Sequence, residues 1–597
     1  MSWELDATER TRQLSSPLHD GNNPKSLRAS IAAAISMSLS LTTAGRLGFF
    51  IDYSELETVG THNFYVTRTH GSQGAVGCTW TAYDSAGGAQ LATGSLSWAN
   101  HSLDVLSFQV PVTSKPAGDH RIYVLLSNPT GGAALHHGDS TVAYGIIDDD
   151  TIATSNAIFI DADAETNGTG TQTSPFNNWY SARDAVLITT RFVYIKGLMV
   201  PDTTDSPFRV TAKHFKVLGG FGNRTSESQR IVVRNWPNFV GGVSGLAAGE
   251  TAGFLLDTQA GNTPDLRYIT FKGLDFQDLD STAGGIGSTG SPGFAIWTKG
   301  GAGDVVEYIT GENINVNRIV SGKTSAIGVW YSEDVKQIKM WKWNVQNASY
   351  GESDNGNMMT FECYRTDNVS IQNCTLGQTA GDLFQKECFS DVIKVGPTIR
   401  FNFLDGPRLR INNQGSTRLQ QDFNIVQNNV IVNSIMDSNA NPLLLDNNGA
   451  NSSVSTKSVV SNNTFYNFER SSLGHITSNS ASLAGICIYN NIFSESDVAV
   501  RVRPEAAPLE YLDYNFYQNN VKSPQPRFAN RAFPEINLAT LQSTSSFEAN
   551  AVTGNPIFID AENGDFTLTN NSPALTGGVS GTTMGAFAQD FIQIGVN

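Results

Sequence analysis

The chain has 597 residues with 39 Lys and Arg against 55 Asp and Glu, a formal charge of −16, and only 16% charged side chains. That balance excludes a general nucleic-acid binder, whose affinity would come from Lys and Arg set against phosphate. Hydrophobic residues at 40% suffice for packed cores, no stretch approaches the roughly 18 apolar residues of a membrane span, and 56 Gly and 21 Pro among many Asn, Ser and Thr favour short strands and turns. The expected fold class is all-β, with no membrane insertion.

Residues 1–45 read as an N-terminal arm. Residues 31–41 are apolar behind Arg10, Arg12, Lys25 and Arg28, as in an export signal, but that charged lead is too long for one. Ser36-Met37-Ser38-Leu39-Ser40-Leu41 alternates with the period of a strand. The arm therefore suits assembly, into a homo-oligomer or a larger particle, better than secretion.

Residues 46–151 have the pattern of a compact sandwich, with strands predicted at 49–53, 63–69, 76–83, 105–112 and 120–127 between Gly, Ser and Pro turns. The segment closes on Leu126-Ser127-Asn128-Pro129-Thr130-Gly131-Gly132-Ala133 and then Tyr144-Gly145-Ile146-Ile147-Asp148-Asp149-Asp150. These two signatures resemble a Calx-β domain. The resemblance implies a β-sandwich, and calcium as a cofactor held by Asp148, Asp149 and Asp150; a solvated acidic turn is the alternative.

Residues 152–520 carry an internal repeat in which a short apolar strand ends in Asn. Asn315, Asn344, Asn373, Asn402, Asn428, Asn462 and Asn490 stand 29, 29, 29, 26, 34 and 28 residues apart. Each interval is one coil of a parallel β-helix, with the Asn side chains stacking from rung to rung. Ile158-Phe159-Ile160-Asp161-Ala162-Asp163 with Ser174-Pro175-Phe176, and Asn555-Pro556-Ile557-Phe558-Ile559-Asp560 with Ser572-Pro573-Ala574-Leu575, resemble the entry and closing segments of right-handed parallel β-helix proteins that act on carbohydrate. The expected fold is thus a right-handed parallel β-helix preceded by a β-sandwich, and residues 521–597 are its closing coil and C-terminal segment. The five cysteines, Cys78, Cys363, Cys374, Cys388 and Cys487, contain no C-x-x-C pair and signal neither a disulfide framework nor a zinc site.

Aligning the second strand of successive coils gives an outward column Asp257, Trp297, Trp330, Glu362, Lys386 and Arg410, beside Arg408. Trp297 and Trp330 offer flat apolar surface to the C–H faces of a sugar, and His475 lies at a comparable position farther on. Lys394, Arg400, Arg408, Arg410 and Arg418 against Asp405 make a local charge of +4 on a chain of −16, which suits an anionic polysaccharide.

Asp382-Leu383-Phe384-Gln385-Lys386-Glu387 followed by Ile399-Arg400-Phe401-Asn402 and Arg408-Leu409-Arg410 is similar to a region of the polysaccharide lyases that include chondroitinase B and certain alginate lyases. The resemblance implies Lys386 as the base and Arg410 or Arg408 as the group that stabilises charge; the aligned column sets Glu362 beside them. It departs from that family in lacking an Arg-His-Gly and paired glutamates before the Lys. β-Elimination removes the C5 proton of a uronate, which a Lys of lowered pKa can accept while Arg offsets the developing charge. Glycoside hydrolysis needs two carboxylates instead, for which Glu362, Asp257, Asp446, Glu352 and Asp354 are candidates. Three readings follow: a lyase on an anionic polysaccharide, which the basic cluster favours, a glycoside hydrolase, and a non-enzymatic adhesin. All place the chain outside the cell or on a virion, as a tailspike or fibre meeting host glycans.

Overall fold

The computed structural model describes residues between 44 and 594, apart from intervening segments of which the longest are 201–214, 281–293, 388–397, 413–422 and 433–442. All but the last two residues of the expected arm lie outside the described residues. Strands dominate throughout, and among the described residues no helix is long and apolar enough to cross a membrane.

The N-terminal unit holds two sheets. Arg46–Phe49, Gly60–Thr69, Leu106–Val112 and Ala134–Leu135 form one, and Tyr53–Leu56, Val76–Tyr83, Gln90–Trp98, His120–Thr130 and Val142–Ile147 form the other. Along Leu106–Val112, Phe108, Val110 and Val112 are buried while Ser107, Gln109 and Pro111 are exposed, so the strand gives one face to a cluster shared by both sheets. There Phe108 from one sheet stacks on Trp80 from the other with ring centroids 4.1 Å apart. The single strand predicted at 49–53 proves to be the place where the chain changes sheets. Arg46–Phe49 pairs with Gly60–Thr69, residues 50–52 bend, and Tyr53–Leu56 pairs with Val142–Ile147.

The rest is a long ladder of parallel strands in three rows. The first row runs from Ala157–Asp161 through Ile231–Asn235, Leu266–Lys272, Asp367–Gln372 and Thr398–Arg400 to Tyr511–Asp513. The second runs from Gly241–Ser244 through Asp275–Asp280, Thr375–Gly377 and Phe403–Asp405 to Val552–Gly554. The third runs from Phe215–Lys216 through Ala252–Asp257, Phe294–Lys299, Trp330–Glu333, Met359–Tyr364, Asp382–Glu387 and Arg408–Asn412 to Leu443–Asn447 and beyond. Val306–Ser321 and Lys336–Tyr350 serve the first two rows without a break. In the first row Val233, Phe271, Gly311, Met340, Ile371, Ile399, Val426 and Val460 pair in sequence. Their apolar side chains share one cluster with Phe254, Ile296 and Leu443 of the third row. Burial of this column, at roughly 25 cal/mol per Å² of apolar surface, drives the stacking of rungs.

The asparagines stack, but not the ones the spacing singled out. Asn402, Asn429, Asn463, Asn491 and Asn515 form the ladder, each Nδ2 donating to the next Oδ1 at 2.9–3.0 Å. Each of those oxygens also accepts the preceding backbone N–H, as from Asn429 N to Asn463 Oδ1 at 3.0 Å. Of the predicted set only Asn402 belongs. Asn373, Asn428, Asn462 and Asn490 take left-handed φ values of 55° or 56°, which Asn tolerates better than most residues. Asn315 and Asn344 pair with each other in the second row, where Asn315 donates to Asp275 at 3.0 Å.

Glu548 ends the ladder, accepting from Asn515 Nδ2 at 2.8 Å and from the Tyr517 hydroxyl. Burial pushes its carboxyl up to about 7, against these hydrogen bonds, which favour the charged form. A folded-state value above the unfolded one makes its contribution complete below about pH 4.5 and lost as the pH rises through about 7. Glu548→Gln is therefore expected to raise stability above pH 7 by up to ~3 kcal/mol and to flatten the pH 4–8 profile of the unfolding midpoint in urea. An unchanged profile would reject this assignment.

Two other parts of the chain cover the ladder from outside. The N-terminal unit lies on the first row, over the column Arg234, Lys272, Glu312, Trp341, Gln372, Arg400 and Gln427, each at most 5% exposed. Lys339 pairs with Asp52 at 2.8 Å, Tyr53 stacks near Trp341 at 4.9 Å, and Arg400 donates to the carbonyls of Phe49 and Phe50 at 2.8 and 2.7 Å. The C-terminal segment covers the second row. After the antiparallel hairpin of Phe558–Asp560 and Asp565–Leu568, it runs back along the rungs, setting Ala574 and Met584 against Ile492 and Phe516, and Ala586 against Val430. Among the described residues, neither cover reaches the third row.

Candidate functional site

The third row carries the residues that the sequence assigned to substrate, and its register decides which of them share a face. Trp297, Tyr331, Glu362, Gln385, Arg410 and Leu444 pair in sequence. A neighbouring column reads Ile296, Trp330, Phe361, Phe384, Leu409 and Leu443, and its Ile296 and Leu443 are fully buried. The column on the other side reads Thr298, Ser332, Cys363, Lys386, Ile411 and Leu445, starting at a fully buried Thr298.

The expected column is therefore corrected. Trp297, Glu362 and Arg410 belong together, whereas Trp330 and Lys386 are each one residue out of step, the interval that separates the two faces of a strand. For Trp330, and for Lys386 against Glu362, the regular pairing of the strands sets the offset, Ile296 with Trp330 and Cys363 with Lys386. Between Lys386 and Arg410 it is a β-bulge between Asp382 and Phe384, which shifts the rest of that strand against Arg408–Asn412 and sets Phe384 opposite Leu409. Arg408 pairs with Asp382. Asp257 lies two positions along, in a column that continues through Lys299, Glu333, Tyr364 and Glu387. Asp446, paired with Asn412 and Thr477, extends this side of the row, and His475 stands two residues before Thr477 and pairs with Arg501. Glu352 and Asp354 lie outside the described residues.

Sequence reasoning missed Glu333 and Glu387 as members of the acidic side. Their signal was position: each stands three residues after a member of the Ile296 column, Trp330 and Phe384. One member of the expected basic cluster, Arg400, is buried elsewhere. Arg400 is 1% exposed and spends its guanidinium on the N-terminal unit and on Gln427 Oε1, and Lys394 and Arg418 lie outside the described residues.

The acidic run of the N-terminal unit is built differently from a cation site. Val142–Ile147 delivers Asp148 to the first row of the ladder, where Lys272 Nζ lies 2.9 Å from Asp148 Oδ1, 3.2 Å from Asp119 Oδ2 and 3.4 Å from Glu312 Oε1. Arg234 reaches Asp119 at 2.6 Å, Asp148 at 3.4 Å and Asp150 at 3.5 Å. Asp149 pairs with Lys115. Burial opposes ionisation of Asp148, but Lys272 and Arg234 outweigh it and hold the carboxyl below its usual range. Asp149 is likewise lowered to about 2, its slight burial outweighed by Lys115 and the Thr151 backbone. Calcium takes 6–8 oxygen ligands. With these carboxylates already facing ammonium and guanidinium groups, the residues present do not fit calcium. Among the described residues no group of three or more His, Cys, Asp or Glu is arranged to hold a metal ion.

The cysteines described here are buried free thiols, Cys78, Cys374 and Cys487. Burial pushes Cys374 up to about 12 and Cys78 up to about 11, which leaves both unreactive at neutral pH.

No protein-family model matches the chain, and no curated protein matches it. Among solved structures, the apo form of the Calx CBD1 domain is similar at 21% identity over 17% of this chain and 96% of that one, with a TM-score of 0.16. CBD12 from CALX1.2 is similar at 21% identity over 20% of this chain and 52% of that one, and the Calx CBD2 domain at 17% identity over 18% and 88%, with TM-scores of 0.16 and 0.15.

Proposed function

We propose that the chain is a right-handed parallel β-helix preceded by a β-sandwich, and that it binds a polysaccharide or cell-surface glycan along its third row and cleaves it, outside the cell or on a virion. The observation that carries this reading is that, among the described residues, the chain's own segments cover the first and second rows and not the third. A half-buried Trp297, paired on one side with a buried Leu255, leads on the other through Tyr331 to Glu362, Gln385 and Arg410 there. An indole offers stacking to the C–H face of a sugar, and Arg supplies paired donors to a carboxylate or sulfate substituent.

The register favours hydrolysis over elimination. Elimination asks Lys386 and Arg410 to act on one face, and they are one residue out of step. Glu362 and Glu387, by contrast, lie on adjacent rungs two positions apart. At roughly 4.8 Å between rungs and about 3.3 Å per residue, their backbones stand about 8 Å apart. This is the order of the carboxylate separation in inverting glycosidases, about 6.5–9.5 Å, where one carboxyl protonates the leaving oxygen and the other activates water.

Incubation with alginate, pectate, glycosaminoglycans and neutral glycans tests the reading. New reducing ends without the ultraviolet absorbance of an unsaturated uronate are expected. Glu362→Gln should lower turnover roughly 10²–10⁴-fold, while Lys386→Ala leaves it near wild type. Unsaturated products lost in Lys386→Ala would restore the lyase, and binding without any product would make the chain an adhesin.

A further inference from the structure

We infer that the rim where the two units meet is held by its own cations and not by a divalent ion: the Lys272 ammonium and the Arg234 guanidinium neutralise Asp119, Asp148 and Glu312 there. The inference is independent of what the third row binds. Lys272 Nζ has three carboxylates within 3.4 Å, at the distances of ion pairs to an ammonium. The lysine side chain is 2% exposed, as is Glu312, and Asp119 is 6% exposed. Arg121 closes the far side of Glu312 at 2.6 Å.

The charges balance only when the units are joined. The N-terminal unit supplies Asp119, Asp148 and Arg121, and the ladder supplies Lys272, Arg234 and Glu312. Three buried or half-buried acids then meet three bases, with the exposed Asp150 on the solvent side of Arg234. Buried charges in a balanced set are tolerated, whereas one unpaired member is strongly destabilising. A calcium ion added to the balanced set would leave two uncompensated positive charges in a nearly dry site, so the geometry disfavours it on energy as well as on ligand count. The seating of the N-terminal unit on the ladder is thus independent of calcium.

The test compares the full-length protein with Lys272→Ala and Lys272→Met, in calcium and in chelator. The wild-type melting temperature is expected to be the same in both, with no tyrosine-sensitised terbium emission. Lys272→Ala leaves three carboxylates around an open space. It should melt several degrees lower in chelator, recover most of that loss in millimolar calcium, and show terbium emission. Lys272→Met fills the space with an apolar chain and should melt lower without recovery. A wild-type protein stabilised by calcium, or a folded Lys272→Ala indifferent to it, would overturn the inference. If Lys272→Ala does not fold, the wild-type comparison decides alone.

Discussion

Asn463→Leu is expected to open the asparagine ladder at its middle and to cost about 3–5 kcal/mol, read as a lower urea midpoint of the ladder by circular dichroism. The substitution keeps the number of side-chain heavy atoms and their branch point, replaces the polar groups by methyls, and adds some bulk. Asn463 Oδ1 accepts both the backbone N–H and the side-chain Nδ2 of Asn429, and its own Nδ2 donates to Val426 O, Ser461 O and Asn491 Oδ1. Asn429 Nδ2 keeps acceptors at Ile399 O and Gln427 O, but its backbone N–H is left buried with its partner gone. One orphaned buried donor costs roughly 1–3 kcal/mol, and the weakened neighbours add to it. The contrast is Asn462→Gly, one residue earlier at φ 55°, where the backbone conformation suits Gly and the side chain gives up only its bond to Thr583 O at 3.2 Å, so the cost should stay near about 1 kcal/mol. Equal losses for the two variants would mean that the ladder contributes no more than the turn.

Arg400→Leu should loosen the N-terminal unit from the ladder and cost about 3–5 kcal/mol at that junction. Its guanidinium donates to Phe49 O and Phe50 O at 2.8 and 2.7 Å and to Gln427 Oε1 at 2.8 and 3.1 Å, and it lies 5.2 Å from the Phe50 ring centroid. Burial pushes its pKa down to about 10, still high enough to keep it charged at neutral pH. Without it, two carbonyls and an amide oxygen remain buried and lose these donors. The expected readout is a separate, earlier melting step and faster proteolysis near residues 150–156, between the units. Arg400→Lys should rescue little, because one ammonium does not reproduce a planar fork that serves both carbonyls and Gln427 at once. A single unshifted transition in Arg400→Leu would show that the junction rests on the Lys272 and Lys339 pairs instead.

What the amino-acid sequence determined by itself was periodic and local. Turn residues bounding 76–83 and 105–112 located strands there, and the Asn spacing located the repeat, because strand propensity and turn chemistry act over a few neighbours. Even there the reading stopped one residue short. The pairs Asn428-Asn429, Asn462-Asn463 and Asn490-Asn491 divide the work between a left-handed turn and a buried stack, and nothing local says which member stacks.

Tertiary structure alone decided the rest. Lys386 looked equivalent to Arg410 until the bulge at Asp382 set the register, and with a side-chain period of two a slip of one residue exchanges faces. Arg400 read as part of a solvated basic patch, yet its partners are Phe49 and Phe50, 351 and 350 residues away. Asp148 read as a calcium ligand, yet Lys272 and Arg234, from rungs far along the chain, neutralise it. Whether a charge faces water, a metal or another charge depends on which surfaces meet, and that is settled by packing between units rather than by the residues beside it in the chain.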